Sequence, residues 1–207
     1  MEKVLSKVSI FVTELFSQRN LPFLKYHNFH HTESVVDRAN EIAIHYAIHD
    51  SEKFCLITAA WFHDTGHLFN ELAEHEQTGA DLMTSFLKSF FIEEEIIGKI
   101  TGCIIATKIP SNPKTDIEKI LCDADTYHFG TKEFRLTDSK VYEEIEERLH
   151  IQIENKIYQS ISLLESHRFF TDYCQDLLNK GKQENIAFLN RITVMGPSLF
   201  TSRSPFI

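Results

Sequence analysis

Residues 59–67 read Ala59-Ala60-Trp61-Phe62-His63-Asp64-Thr65-Gly66-His67, an apolar run that ends in an adjacent histidine and aspartate. Leu56 extends the apolar pattern back towards Asp50 or Ser51, either of which suits the first position of a helix. The pattern predicts a helix from about residue 50 to about residue 66. A carboxylate beside an imidazole is costly to bury unless a cation or a hydrogen-bond network compensates it. The end of this helix is therefore a candidate metal site.

The remaining sequence is also predicted to be helical. Apolar residues recur at helical spacing, and no stretch alternates in the manner of a β-strand. Pro110 and Pro113 predict a loop. The predicted fold is all-α: one helical domain over residues 1–195, with a metal-binding core at about 20–130, and a loose tail over 196–207. Besides 50–66, the predicted helices are 2–18, one beginning near Phe29, 74–90, 92–108, 116–127, 138–166, 168–180 and 182–194.

The composition of the 207 residues is that of an ordinary globular protein, 43% hydrophobic and 25% charged. Only 7 glycines and 5 prolines are present, which favours long helices over a turn-rich β-fold. The net charge of −9 disfavours a nucleic-acid partner, because no basic excess can displace counterions from a phosphate backbone. The sequence contains no apolar run of 18 residues, so no membrane span is predicted. The four scattered cysteines suit reduced thiols, and we expect a cytoplasmic protein. The oligomeric state is not indicated.

Histidines are concentrated in one part of the chain. Eight of the 11 lie between residues 27 and 75, which indicates metal ligands. A later stretch, Leu121-Cys122-Asp123-Ala124-Asp125-Thr126, supplies carboxylates on another helix. Two imidazole nitrogens and two carboxylate oxygens leave open positions in an octahedral shell and suit Mn, Fe, Co, Ni, Mg or Zn. Water in an open position has its pKa lowered towards neutrality and becomes a nucleophile.

His31, the pair His63-Asp64 and Asp125 resemble the H…HD…D signature of the HD-domain metal-dependent phosphohydrolases. The opening Tyr26-His27-Asn28-Phe29-His30-His31 is similar to one used by cyclic-nucleotide phosphodiesterases of that superfamily. Residues 106–110 and 120–125 resemble a bacterial subgroup of predicted HD phosphohydrolases. The resemblance covers about residues 20–130. It implies a helical bundle with one divalent metal ion, held by His31, His63, Asp64 and Asp125, and hydrolysis of a phosphomonoester or phosphodiester, often of a nucleotide, by metal-bound hydroxide.

The last ligand has two candidates, Asp123 and Asp125. The family's ligand usually follows a small residue, which Ala124-Asp125 matches better. Asp123 would then be a partner of a ligand or an acid on the helix surface.

Four residues are candidates for catalysis or substrate binding within the resemblance. Asp64 is predicted to take part in catalysis as well as to bind the metal ion. His67 could give a proton to the leaving oxygen, or equally could cap a helix C-terminus. His27 could act as an acid or contact phosphate, or equally could cap the loop together with Tyr26, a candidate substrate contact.

Two further substrate contacts are candidates. His75 matches a position that binds a second metal or the substrate in some relatives, and Lys108 could hold a phosphate as a point charge or equally be a solvated lysine. The fuller two-metal pattern has histidines near 107–108, where this chain has Thr107 and Lys108, so one metal is expected. The expected partner is a small phosphorylated molecule. The alternatives are a di-iron oxygenase of HD type and a nucleotide sensor without turnover.

The other histidines and the acidic runs show no pattern that indicates chemistry. The runs at 93–95 and 143–147 are predicted to be solvated helix faces. Structural roles are assigned to His30, His45, His49, His128, His150 and His167.

Overall fold

The computed structural model describes residues 1–19, 21–69 and 72–195, and the predicted tail at 196–207 lies outside them. The described residues form α-helices and no β-strand, so the all-α prediction is confirmed. Two 3₁₀-helices, Thr65–Phe69 and Tyr127–Gly130, connect longer elements. The helices are α1 (Glu2–Gln18), α2 (Phe29–His45), α3 (Asp50–Phe62), α4 (His75–Lys88), α5 (Glu94–Ala106), α6 (Asp116–Asp125), α7 (Phe134–Leu149), α8 (Lys156–Ser166) and α9 (Asp172–Met195).

Helix α3 lies at the centre of the bundle. Helices α1, α2, α5 and α6 pack against it, and every residue from Phe54 to Ala60 is buried. A helix that is apolar all round must be covered on all sides. The C-terminal end of α3 therefore lies inside the fold. His63 and Asp64, which follow directly, are only 0% and 4% exposed. None of the described helices has the length and apolar character needed to cross a lipid bilayer.

The predicted helix at 50–66 is wrong at its C-terminal end, because α3 stops at Phe62. The Thr65 hydroxyl donates to the Phe62 carbonyl (2.8 Å), and the His67 N–H donates to the Asp64 carbonyl (3.1 Å), so the chain tightens into the 3₁₀-helix. A Cβ atom on Gly66 would overlap the backbone of His75. Glycine at this position therefore lets the start of α4 approach the turn.

Two predictions in the C-terminal part are also wrong. The predicted helix at 138–166 is two helices, because His150 (φ 53°) and Asn155 (φ 56°) adopt left-handed conformations between α7 and α8. The two predicted helices at 168–180 and 182–194 are one continuous helix, α9. Gly181 does not break α9; it allows close packing, since a Cβ atom there would overlap the backbone of Gly130.

Candidate metal centre

Three local structures deliver polar side chains to the centre of the bundle. The Asn28 side chain accepts a hydrogen bond from the His31 N–H (3.2 Å), which places His31 in the first turn of α2. Thr115 and Glu118 form a capping box that begins α6, and Asp125 is the last residue of that helix. The pair His63-Asp64 follows the end of α3. Residues distant in sequence therefore meet at one place.

Four donor atoms of this group surround a common point. The Nε2 atom of His31 lies 3.2 Å from Asp64 Oδ2 and 3.1 Å from Asp125 Oδ1. The Nε2 atom of His63 lies 3.2 Å and 3.6 Å from the same two oxygens. Two ligands at right angles around an ion with bonds of about 2.1 Å lie roughly 3 Å apart. The spacing therefore suits one divalent cation.

The hydrogen bonding of His63 also fits a metal ligand. Its Nδ1 atom donates to the Ala60 carbonyl (2.8 Å), so Nε2 of the neutral ring carries a lone pair. His63 Nε2 and Asp64 Oδ2 are buried, and neither makes a hydrogen bond to any residue that the structure describes. Buried polar atoms usually have partners, and a cation would satisfy both. His31, His63 and Asp125 form a group that could hold a metal ion, and Asp64 lies 3.2 Å from both imidazoles; such mixed nitrogen and oxygen donors suit Mn, Fe, Co, Ni, Mg or Zn.

The charges of the four groups balance one another. Burial alone would raise the pKa of Asp64, but His63 and His31 hold it well below its usual value, and His31 and His63 likewise lower the pKa of Asp125. Burial alone would lower the pKa of His31 and His63, but the two carboxylates raise both. The two carboxylates thus favour positive charge on the two imidazoles. A divalent cation bound between the four groups would supply that positive charge.

A second group of donors shares Asp64 with the first. Asp64 Oδ1 lies 3.9 Å from His67 Nε2 and 3.8 Å from His75 Nε2, and these atoms could also hold an ion. The rings of His67 and His75 stack with centroids 3.8 Å apart. The sequence analysis named His75 as a position that binds a second metal or the substrate in some relatives, but it did not combine His75 with Asp64 and His67.

Helix α7 supplies two residues that the sequence analysis missed. Glu144 is 0% exposed, so the prediction that the acidic run at 143–147 is entirely solvated is wrong at this position. Its carboxylate lies 2.7 Å from His27 Nδ1 and accepts from the backbone N–H groups of Tyr26 (2.9 Å) and His27 (3.0 Å). Arg148 Nη1 lies 2.9 Å from His67 Nδ1 and 3.3 Å from Glu144 Oε1. The spacing of Glu144 and Arg148, four residues apart, was the available signal.

A cavity of about 460 Å³ opens beside His31 and Asp125. Tyr26 lines it, and its hydroxyl lies 3.1 Å from His128 Nδ1. Burial lowers the pKa of His128 to about 3, so this ring is neutral at physiological pH. His128, to which the sequence analysis assigned a structural role, also lines the cavity. The charged residues at the wall are Lys25, Arg38, Lys140, Asp37 and Glu133.

Lys108 and Asp123 lie away from this centre. The exposed Lys108 ammonium donates to the Ala73 carbonyl (3.3 Å), and its side chain lines a different groove. Asp123 is 0% exposed, so it is not an acid on the helix surface. Its oxygens accept from the N–H groups of Phe170 and Thr171 (both 2.8 Å) and from the Thr171 hydroxyl (2.6 Å). Asp123 therefore fixes the segment that leads into α9.

Comparison with known proteins places these motifs in a family. A family model described as HD domain matches residues 28–130, which include His31, His63, Asp64 and Asp125. A predicted HD superfamily hydrolase from an uncultured Thermotogales bacterium has a similar fold, with a TM-score of 0.56 and 20% identity over 92% of this chain and 91% of that one. No curated protein sequence matches. Residues 28–130 of this chain match the HD-domain family.

Proposed function

We propose that this protein is a metal-dependent hydrolase of a phosphate ester, with a nucleotide as the expected substrate. One observation carries the proposal: the Nε2 atoms of His31 and His63 each lie within 3.1–3.6 Å of one carboxylate oxygen of Asp64 and one of Asp125, beside a cavity of about 460 Å³. The match of residues 28–130 to the HD domain supports metal-dependent hydrolysis in general. The ester and the nucleotide are what the resemblance of the H…HD…D motif implies.

The four residues would hold the cation through two nitrogens and two oxygens, as the sequence interpretation predicts. A divalent cation bound there polarises a phosphoryl oxygen and lowers the pKa of a coordinated water. At the cavity wall, Lys25, Arg38 and Lys140 stand against Asp37, Glu133 and Asp125, so a bound cation would supply the net positive charge that attracts an anionic substrate. The Arg38 guanidinium lies over the Tyr127 ring, 4.4 Å from its centroid, and both residues line the cavity. Such a flat, polar surface suits a nucleotide base.

His27 is the better candidate for the residue that protonates the leaving group. Its Nδ1 donates to the buried Glu144 carboxylate (2.7 Å), which fixes the ring and leaves Nε2 to exchange a proton with the substrate. His67, the other candidate, has a pKa held well below its usual value by burial, by His27 and by Arg148. A ring that resists protonation is a poor proton donor at neutral pH.

The proposal is tested by metal reconstitution and a substrate screen. The protein is stripped with a chelator, reloaded with Mn, Co, Ni or Mg, and assayed on chromogenic phosphate mono- and diesters and on nucleotides. Hydrolysis is expected with at least one ion, and the double variant His63→Ala/Asp64→Ala should lose it. His45→Ala, an exposed histidine on α2, is the matched control. A double variant as fast as the wild type would refute the proposal, and tight nucleotide binding without turnover would favour a sensor.

The second candidate function is a di-iron oxygenase, which the donor group of Asp64, His67 and His75 favours. His31, His63 and Asp125 would then help to hold one ion, His67 and His75 would help to hold the other, and Asp64 would contribute to both. Two iron ions per chain, together with oxygen consumption in the presence of an organic substrate, would support this alternative over hydrolysis.

A further inference from the structure

The Nδ1 partners of three histidines show which nitrogen of each neutral ring carries the hydrogen. Each Nδ1 faces a carbonyl or a carboxylate, which accepts hydrogen bonds and cannot donate them. Each Nδ1 therefore donates, and Nε2 is left with a lone pair. The three contacts are His63 to the Ala60 carbonyl (2.8 Å), His75 to the Leu72 carbonyl (3.1 Å) and His27 to Glu144 (2.7 Å).

His67 has the opposite arrangement. Its Nδ1 lies 2.9 Å from Nη1 of Arg148, and a guanidinium group has only donors. The His67 Nδ1 must therefore accept, and the hydrogen of the neutral ring lies on Nε2. A doubly protonated ring would set one N–H against another at this distance, which the contact does not allow.

Arg148 is well placed to keep this arrangement. Its side chain is 1% exposed and lies 3.3 Å from the Glu144 carboxylate, one helical turn earlier on α7. Glu144 is fixed in turn by the backbone N–H groups of Tyr26 and His27. The guanidinium therefore has little freedom to turn away from His67.

The position of the hydrogen decides between two roles for His67. A histidine that binds a metal through Nε2 needs the lone pair on that atom. His67 is 2% exposed, and its Nε2 makes no hydrogen bond within the described part of the chain. A buried donor without a partner is costly, and an anionic oxygen in the site would satisfy it.

Resting on the function proposed above, we propose that Arg148 is a positioning residue that holds His67 as an Nε2–H donor. The His67 Nε2–H then binds an oxygen of the phosphate group. The group of Asp64, His67 and His75 does not take up a second ion, since only two of its three residues retain a free donor atom. We therefore expect one ion per chain.

The test is nuclear magnetic resonance of the ¹⁵N-labelled histidine rings, in protein without metal and with Zn²⁺ alone. The His67 signals are assigned with the variant His67→Gln, and Zn²⁺ is counted by elemental analysis. We expect His67 with hydrogen on Nε2 in both states, one Zn²⁺ per chain, and a shift of its Nε2 signal when inorganic phosphate is added. Hydrogen on Nδ1, two Zn²⁺ per chain in the wild type, or no response to phosphate would overturn the proposal.

Two variants of Arg148 separate positioning from general stability. Arg148→Met should let the His67 hydrogen move to Nδ1 and raise the Zn²⁺ content towards two per chain, whereas Arg148→Lys keeps a donor and should preserve the wild-type spectrum. If Arg148→Met does not fold, the wild-type and Arg148→Lys spectra still decide. A wild-type protein that hydrolyses no phosphate ester would defeat the proposed function, but the hydrogen position and ion count would remain readable.

An activity comparison gives an independent readout. His67→Gln places an amide donor near the same position and should keep kcat within about tenfold of the wild type, whereas His67→Leu should lower kcat by about 10²–10³-fold, the usual effect of removing one such donor. Equal activity of the leucine and glutamine variants would overturn the role of His67 as a donor.

Discussion

The variant Glu144→Gln tests how helix α7 supports the site. The wild-type carboxylate, fully buried, accepts four hydrogen bonds: from Tyr26 N (2.9 Å), His27 N (3.0 Å), His27 Nδ1 (2.7 Å) and Arg148 Nη1 (3.3 Å). The carbonyl oxygen of glutamine has two lone pairs, so it can keep at most two of them. The side-chain NH₂ group of the glutamine is itself a donor and would face N–H groups that also donate.

The expected cost follows from the two bonds that are lost. Each bond to a charged acceptor contributes about 1.5–3 kcal/mol, and breaking a buried ion pair costs about 3–5 kcal/mol. We therefore expect Glu144→Gln to lower the free energy of unfolding by about 3–5 kcal/mol, measured by urea denaturation followed by circular dichroism. Glu143→Gln, the exposed neighbour on α7, should change it by less than about 0.5 kcal/mol. A Glu144→Gln protein within about 1 kcal/mol of the wild type would refute this reasoning.

The same variant carries a pH dependence. Burial alone would raise the pKa of Glu144, but His27 and the two backbone N–H groups lower it below the ordinary value of 4.5. A carboxylate with a lowered pKa contributes stability above its unfolded pKa and loses it as the pH falls through the folded pKa. The difference in stability between wild type and Glu144→Gln should therefore narrow below about pH 4.5. A difference that stays constant down to acid pH would contradict the assignment.

Two other substitutions test the packing around the site. Gly181→Ala should destabilise the protein by about 1–3 kcal/mol in thermal denaturation, because the added Cβ would overlap the backbone of Gly130. Gly98→Ala on α5, where the added Cβ meets open space, should be neutral or stabilising in the same assay. Equal melting temperatures of the two variants would contradict the close contact at Gly181. Asp123→Asn should cost about 1–3 kcal/mol in urea denaturation, because one of its two oxygens becomes a donor facing the N–H groups at residues 170–171. Wild-type stability of Asp123→Asn would show that this contact does not hold the start of α9.

Much of the fold follows from local signals in the sequence. The apolar pattern correctly places the start of α2 near Phe29, and the apolar run before His63 correctly predicts a buried helix. The break between α7 and α8 could not be predicted, because His150 and Asn155 adopt left-handed conformations without glycine. Gly181 lies within α9 because it packs against Gly130, a residue 51 positions earlier that the local sequence does not reveal.

In the candidate site, too, the sequence motif predicted some residues, whereas others are identified only by tertiary contacts. His31, His63, Asp64 and Asp125 were predicted as ligands from a motif, and the structure brings their donor atoms together; their role as ligands stays a prediction. Glu144 has the same local sequence character as Glu143, and only the packing of α7 against residues 26–27 distinguishes it. The role of a buried charge on a distant helix is set by tertiary contacts, which the local pattern does not contain.

The central claim is that two imidazoles and two carboxylates hold one divalent cation. The most direct measurement is an anomalous difference map from crystals grown with Mn²⁺. We predict one peak about 2.0–2.3 Å from Nε2 of His31 and His63 and from one carboxylate oxygen each of Asp64 and Asp125. A map without a peak at that point, from crystals in which Mn²⁺ is bound elsewhere or not at all, would contradict the account.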